Sequence, residues 1–169
     1  MYAHIHRRPP SPVQPLSFPN QALTVSDSEV GLTRPERQAL LRRRWGFTCT
    51  CSLCALAEPE ALASDSRRER TREIRDRVLA HVHEGEYGEA VRWHGEMIGL
   101  LAEEGISVPM GEHYDTIARL SMAAGDHKGA LQWAEMAIED LEMYSGGEIP
   151  EKVGELRAFV KKWEKVKSL

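Results

Sequence analysis

Cysteine is absent from this chain outside one six-residue span, glycine is absent before Gly31, and asparagine occurs once, at Asn20. Aromatic residues make up only 7% of the 169 positions. No apolar run reaches the length of a secretory leader or a membrane-spanning helix, so neither is expected. The odd count of three cysteines argues against a disulfide framework and for a reducing, intracellular setting, nuclear or cytoplasmic. Cys51-x-x-Cys54 lacks the strand and helix pattern that would make it a thioredoxin-like redox pair. A strong basic excess is also missing. Net charge is −4, with 13 Lys/Arg against 9 Asp/Glu in residues 1–77 and 9 against 17 in the remainder. That balance makes nucleic-acid binding unexpected, and the contrast between halves suggests two structural units.

The three cysteines that are present lie in Trp45-Gly-Phe-Thr-Cys49-Thr-Cys51-Ser-Leu-Cys54, spaced Cys-x-Cys-x-x-Cys. Structural zinc takes four ligands in a tetrahedron, so Cys49, Cys51 and Cys54 form three-quarters of a zinc site and leave one corner to be supplied from elsewhere. Inert thiols are the alternative. Among the histidines, His4 and His6 fall in a proline-rich region, and His81, His83, His94, His113 and His127 fall on or beside helical patterns. His81 and His83 are two apart and point to different sides of a helix. Each histidine is expected to be a partly exposed polar residue rather than a ligand.

Residues 1–32 read as irregular: Pro9, Pro10, Pro12, Pro15 and Pro19 remove backbone donors, and Ala22–Val25 supplies at most a short edge strand. Thr33-Arg-Pro-Glu36 has capping-box spacing and predicts a short helix to about Arg44, with Leu40, Leu41 and Trp45 as its apolar stripe. This helix and the cysteine loop form a unit over 33–56, and 57–66 reads as a linker. From 67 to 167 the apolar spacing predicts five helices. The first carries Ile74, Val78, Leu79 and Val82 and ends at Gly85, and the second carries Tyr87, Ala90, Val91, His94, Ile98 and Leu101. Gly105 and Pro109 separate it from a third through Tyr114, Ile117, Ala118 and Ser121. A fourth holds Ala130, Leu131, Ala134, Ala137, Ile138 and Leu141. A fifth opens at Pro150 and carries Val153, Leu156, Val160 and Trp163. The expected fold class is therefore mainly α, an array of about five helices behind a cysteine loop. Arg42–Arg44 and the arginines between Arg67 and Arg77 read as solvated helix surface.

Gly85-Glu-Tyr-Gly-Glu-Ala90 and Gly125-Asp-His-Lys-Gly-Ala130 repeat one Gly-acid-x-x-x-Ala turn 40 residues apart. This resembles the tetratricopeptide repeat, matched best by Tyr114–Leu141, although that repeat has a period of about 34. A helical-repeat module that binds a partner peptide on a face near Tyr114, Arg119 and Trp133 is one functional reading.

Taken in order, Leu23-Thr-Val-Ser26, Arg37-Gln-x-Leu40-Leu and Trp45-Gly-Phe-x-Cys49-x-Cys51-x-x-Cys54 resemble the end of a SET domain with its post-SET segment. Together with the helical tail, roughly residues 20–166 are similar to SET-domain protein-lysine methyltransferases of the fungal and SET-and-MYND-like kind. The resemblance implies methyl transfer from S-adenosylmethionine to a protein lysine, in which the in-line positioning of the two partners carries the rate. It also implies an upstream Asn-His-Ser-Cys stretch, a Gly-rich cofactor segment and a Tyr after the strand. Here Asn20 is not followed by His, no glycine precedes Gly31, and Asp27 stands where the Tyr would fall. No catalytic residue and no cofactor-binding residue is therefore assigned. The chain is expected to be a truncated or degenerate member that neither binds S-adenosylmethionine nor turns over alone. In the family the fourth zinc ligand is the Cys of that upstream stretch. A metal-binding regulator completed by dimerisation or by a histidine is the remaining reading.

Overall fold

The structure, a computed structural model, describes residues 31–106, 110–144 and 150–167. The expected strand at Leu23–Ser26, Asp27, His4, His6, Pro109 and Gly146–Gly147 lie outside the described residues. Among the described residues there are six helices and no strand: α1 (Arg34–Trp45), α2 (Glu58–Glu84), α3 (Tyr87–Glu103), α4 (Met110–Ala123), α5 (His127–Tyr144) and α6 (Pro150–Lys167). The mainly α class and the cysteine loop ahead of the array are as expected. No helix among them is long and apolar enough to cross a membrane.

Glu36 starts α1 by accepting hydrogen bonds at one oxygen from the Thr33 backbone N–H (2.7 Å) and the Thr33 hydroxyl (2.8 Å). Pro35 costs nothing in the first turn, where its missing donor has no helical partner anyway. Gly46, at φ 72°, ends the helix, and its N–H reaches the Arg42 carbonyl at 3.0 Å. The expected apolar stripe does not form: Leu40 and Leu41 are half-buried, Trp45 is 58% exposed, and the buried residue of α1 is Arg37. The reason is that α1 docks by polar contacts. The Arg34 N–H donates to Asp65 at 2.6 Å, its guanidinium to the Leu56 carbonyl at 3.0 Å and to Glu58 at 3.1 Å. Arg72 donates to Glu36 at 2.8 Å. That guanidinium, with the two Thr33 hydrogen bonds, holds the Glu36 carboxyl down at about 2.

The expected linker over 57–66 is instead the opening of α2. Pro59 sits in its first turn, Glu58 and Glu60 face the positive end of the helix dipole, and Ala61 and Ser64 are buried. With 27 residues, α2 is roughly 40 Å long against roughly 25 Å for α3. The two helices form a hairpin, so the surplus length of α2 extends past the end of α3 and carries α1. Where α3 ends, the 4%-exposed carboxylate of Glu104 accepts from the Ser64 hydroxyl (2.6 Å), Arg67 (2.6 Å) and Arg68 (2.9 Å). Burial pushes the Glu104 carboxyl up, and these hydrogen bonds and the two arginine charges outweigh it, for a net lowering. Arg67, Arg68 and Arg72 of α2 are clamps between helices, while Arg75 and Arg77 stay on the exposed face expected of them. Arg70 also pairs with Glu96 at 2.9 Å, and Arg70, Arg77 and Arg92 stand 5.1, 4.7 and 4.4 Å from the Trp93 ring centre.

Each later helix packs on the one before it. The two repeated turns share one backbone geometry, although Asp126 caps the Gly129 N–H at 2.9 Å while Glu86 pairs with His81. Gly85 and Gly125 have φ of 78° and 83°, a conformation glycine adopts without Cβ strain. The next N–H reaches back across each turn, Glu86 to the His81 carbonyl (2.8 Å) and Asp126 to the Ser121 carbonyl (2.9 Å). Ala90 and Ala130 close the pattern, both fully buried. Ile74, Val78, Ala90, Met97, Leu101, Met110 and Leu120 form one apolar cluster, Ala118, Ala134, Ala137, Leu141, Val153 and Leu156 a second, and Tyr114 packs against both.

His94 departs from the expected exposure. It follows Ala90 by one turn on the apolar face of α3 and is 4% exposed, with its ring Nε2 bonded to the His113 carbonyl at 3.2 Å. Burial drives its pKa from the usual 6.5 to about 4, helped by the nearby His113 ring and opposed by that hydrogen bond. The folded chain therefore binds this proton only near pH 4, whereas the unfolded chain binds it below about 6.5. Stability conferred by neutral His94 is present above that window and is lost as pH falls through it. Urea unfolding at about pH 7 and about pH 4.5 should show a loss on the order of 2–3 kcal/mol from this group, and His94→Leu should flatten that part of the slope.

At the α4–α5 crossing, a Cβ on Gly111 would lie 2.6 Å from Leu141 Cγ. Nothing lies within 4 Å of a Cβ on Gly99. Gly111→Ala should lower the unfolding free energy by about 1–3 kcal/mol, and Gly99→Ala should raise it by about 0.5–1 kcal/mol. Denaturant melts of both variants check this, and equal signs would remove the close-packing account.

Candidate metal centre

The chain turns at Gly46, leaves α1, and folds Cys49 back beside Gln38, one α-helical turn inside α1. The Gln38 side-chain amide acts there as a strand would: its NH2 donates to the Cys49 carbonyl at 2.7 Å and its oxygen accepts the Cys49 N–H at 2.9 Å. Arg42 adds a 3.3 Å contact to the Thr48 hydroxyl. The second half of the loop is a tight turn in which the Ala55 N–H reaches the Cys51 carbonyl at 2.9 Å.

This loop brings the three predicted ligands together. The Sγ atoms of Cys49, Cys51 and Cys54 all lie within 4.8 Å of one another, and all three residues are half-buried. In a zinc–thiolate tetrahedron, bonds of about 2.3 Å set sulfurs about 3.8 Å apart, so a contraction of about 1 Å at most seats the trio on one face. Three soft thiolates on one face fit zinc better than hard cations, which take oxygen ligands. The thiols are not equivalent. Burial pushes Cys51 up, yet hydrogen bonds from the Cys54 and Leu53 backbone and from the Cys49 and Cys54 side chains bring it below the ordinary thiol value. Burial pushes Cys54 up to about 11, opposed by a hydrogen bond from Arg37 and reinforced by Cys51 and Cys49.

Arg37 and Gln38 of α1 act on the loop from its inner side. Gln38 fixes the backbone of a ligand. Arg37, buried at 6% exposure, donates to the Leu32 carbonyl and brings a permanent positive charge beside Cys54. Three thiolates around a divalent ion leave one net negative charge, which that guanidinium offsets at close range. On the solvent side Trp45 and Phe47 are exposed at 58% and 49%. No histidine joins the three sulfurs among the described residues, so the fourth corner of the tetrahedron is open within them.

The other candidates take structural places. His81 pairs with Glu86 at 2.7 Å at the α2–α3 turn, with Glu84 near, and His83 is exposed. His113 tilts against His94 with ring centres 5.4 Å apart, and His127 stacks on Trp163 at 5.0 Å. Tyr114 and Trp133, expected on a peptide-binding face, stack on each other at 5.8 Å and pack against the second core cluster. Arg119 is paired with Asp115 at 2.7 Å. No protein-family model, curated protein or solved structure matches the chain.

Removing the group that pins a ligand backbone loosens a site without touching a ligand atom. Gln38→Ala should weaken zinc binding about 10- to 100-fold while leaving helical content unchanged. Chelator competition beside circular dichroism measures both, and an unaltered affinity would show that the loop holds its shape without Gln38.

Proposed function

We propose that this chain is a post-SET-like zinc loop joined to a tetratricopeptide-like tail, belonging to the SET-domain protein-lysine N-methyltransferase class and not catalytic by itself. The observation that carries the reading is the convergence of Cys49, Cys51 and Cys54 in a loop placed directly after a short helix and directly before a helical array. That order is the one the resemblance requires. Zinc held there would cross-link a loop that otherwise hangs on one amide pair and a few polar contacts, so Cys49, Cys51 and Cys54 would hold the metal while Gln38 and Arg37 orient and neutralise them. In the family, S-adenosylmethionine and the lysine substrate meet in a pocket built largely by motifs that this sequence does not contain. The loop's contribution is to close such a pocket, which is positioning rather than chemistry. A second reading, a helical-repeat module that holds a partner protein, draws support from the repeated backbone geometry of the turns at Gly85 and Gly125.

Metal analysis of the purified full chain should find one zinc per chain, lost in Cys51→Ser with the helices intact. An assay with S-adenosylmethionine and protein substrates should find no methyl transfer. Absence of zinc from the wild-type chain would remove the metal part of the proposal, and turnover by residues 1–169 would remove the non-catalytic part.

A further inference from the structure

Away from the cysteines, among the described residues, a cavity of about 160 Å³ lies between α2, the end of α3, the start of α4 and Gly31 ahead of α1. Its floor is apolar, made by Met97, Leu101, Ile106 and Met110, and its polar edge is Thr71, Arg72 and Arg75 of α2 with His113 of α4. The volume decides what class of group fits. Cavities for whole small-molecule ligands run from about 300 to 1,000 Å³, whereas about 150 Å³ is enough for one benzene-sized apolar group. This cavity therefore suits one side chain of a longer molecule.

The charges at its mouth decide what lies next to that side chain. The Glu104 carboxylate in the wall is matched by Arg67 and Arg68, and Arg72 is matched by Glu36 at 2.8 Å. Arg75 is different: among the described residues its carboxylate neighbour is Asp76 at 3.9 Å, with both side chains more than 60% exposed. An ion pair that long and that wet has almost no hold on a guanidinium. The His113 ring, whose pKa is lowered mainly by burial, adds no positive charge of its own at neutral pH. The mouth thus presents a cation above an apolar floor.

We propose that this cavity anchors an acidic peptide segment of a partner protein, one aliphatic side chain resting on Met97, Leu101 and Met110 and an adjacent carboxylate meeting Arg75. The assignment does not depend on the methyltransferase reading. It places a peptide-binding surface of the helical array at the crevice beside the Glu104 ion cluster.

The test uses the full chain with 13C-methyl methionine and a blocked peptide Ser-Asp-Leu-Glu-Ser. Saturable shifts of the Met97 and Met110 methyl signals are expected. Peptides with lysine in place of both acids, or serine in place of leucine, should produce none. Arg75→Glu should weaken binding about tenfold or more, and Arg75→Gln by less, with the methyl spectra of the free proteins unchanged as the check on folding. Three results would overturn the proposal: no saturable shift, equal binding of the lysine peptide, or undiminished binding by Arg75→Glu. A fourth would also do so, namely movement of the Met97 and Met110 signals in a peptide-free Asp27→Ala, Glu29→Ala double variant, since the acidic occupant would then belong to this chain.

Discussion

Glu104 fixes the plan of the molecule. A carboxylate 4% exposed to solvent, gripped by Arg67, Arg68 and the Ser64 hydroxyl, ties the end of α3 to a definite point on α2. C-terminal to that point α2 sends Ile74 and Val78 into the apolar array, while Arg72 still reaches α1 through Glu36. N-terminal to it Glu58 and Asp65 hold Arg34 of α1. Buried ion pairs often add little net stability, but they penalise every arrangement that leaves one member unmatched, and a division between two kinds of packing is what that penalty enforces.

The two sides of the division are held by unlike forces. On the array side, buried aliphatic side chains contribute roughly 1.5–3 kcal/mol each. On the α1 side the attachments are ion pairs and hydrogen bonds such as Arg34–Glu58 and Arg72–Glu36, and exposed pairs of this kind contribute about 0–1 kcal/mol each. The loop with the three cysteines thus hangs on the less stable part of the fold. A metal ion that stabilises whatever binds it has the most to add there. The chemistry of the trio and its location in the molecule point the same way.

The helices after residue 67 were legible because their apolar residues recur with helical spacing and their ends carry glycine. The cysteine cluster was legible because three ligands within six residues need no tertiary information to meet. What the sequence hid was polar. The first turns of α2 read as a linker because Pro59, Ser64, Asp65 and Ser66 look like loop composition, and only the docking of α1 gives Asp65 and Ser64 partners. Gln38 and Arg37 stood in the motif Arg37-Gln-x-Leu40-Leu with no local sign of what they do. Their roles depend on the chain reversing at Gly46, and no local pattern announces which polar residue a returning loop will meet. His94 sat on the apolar face by periodicity, and residue-type preference pulled the expectation the other way. Tyr114 and Trp133 show a related limit: aromatic residues on a repeat read as a binding face, and nothing local announces that they stack on each other between α4 and α5.

The first turn of α4 is completed from a distance, since the Gly111 N–H donates at 2.7 Å to Asp140, near the far end of α5. The same approach leaves no room for a methyl group on Gly111. A nascent chain that has left the ribosome only as far as Ile138 already contains all of α4, yet it lacks the carboxylate that receives this donor. The first turn of α4 gains this acceptor only when almost the whole of its successor has been synthesised, so the contact belongs to the pair rather than to either helix.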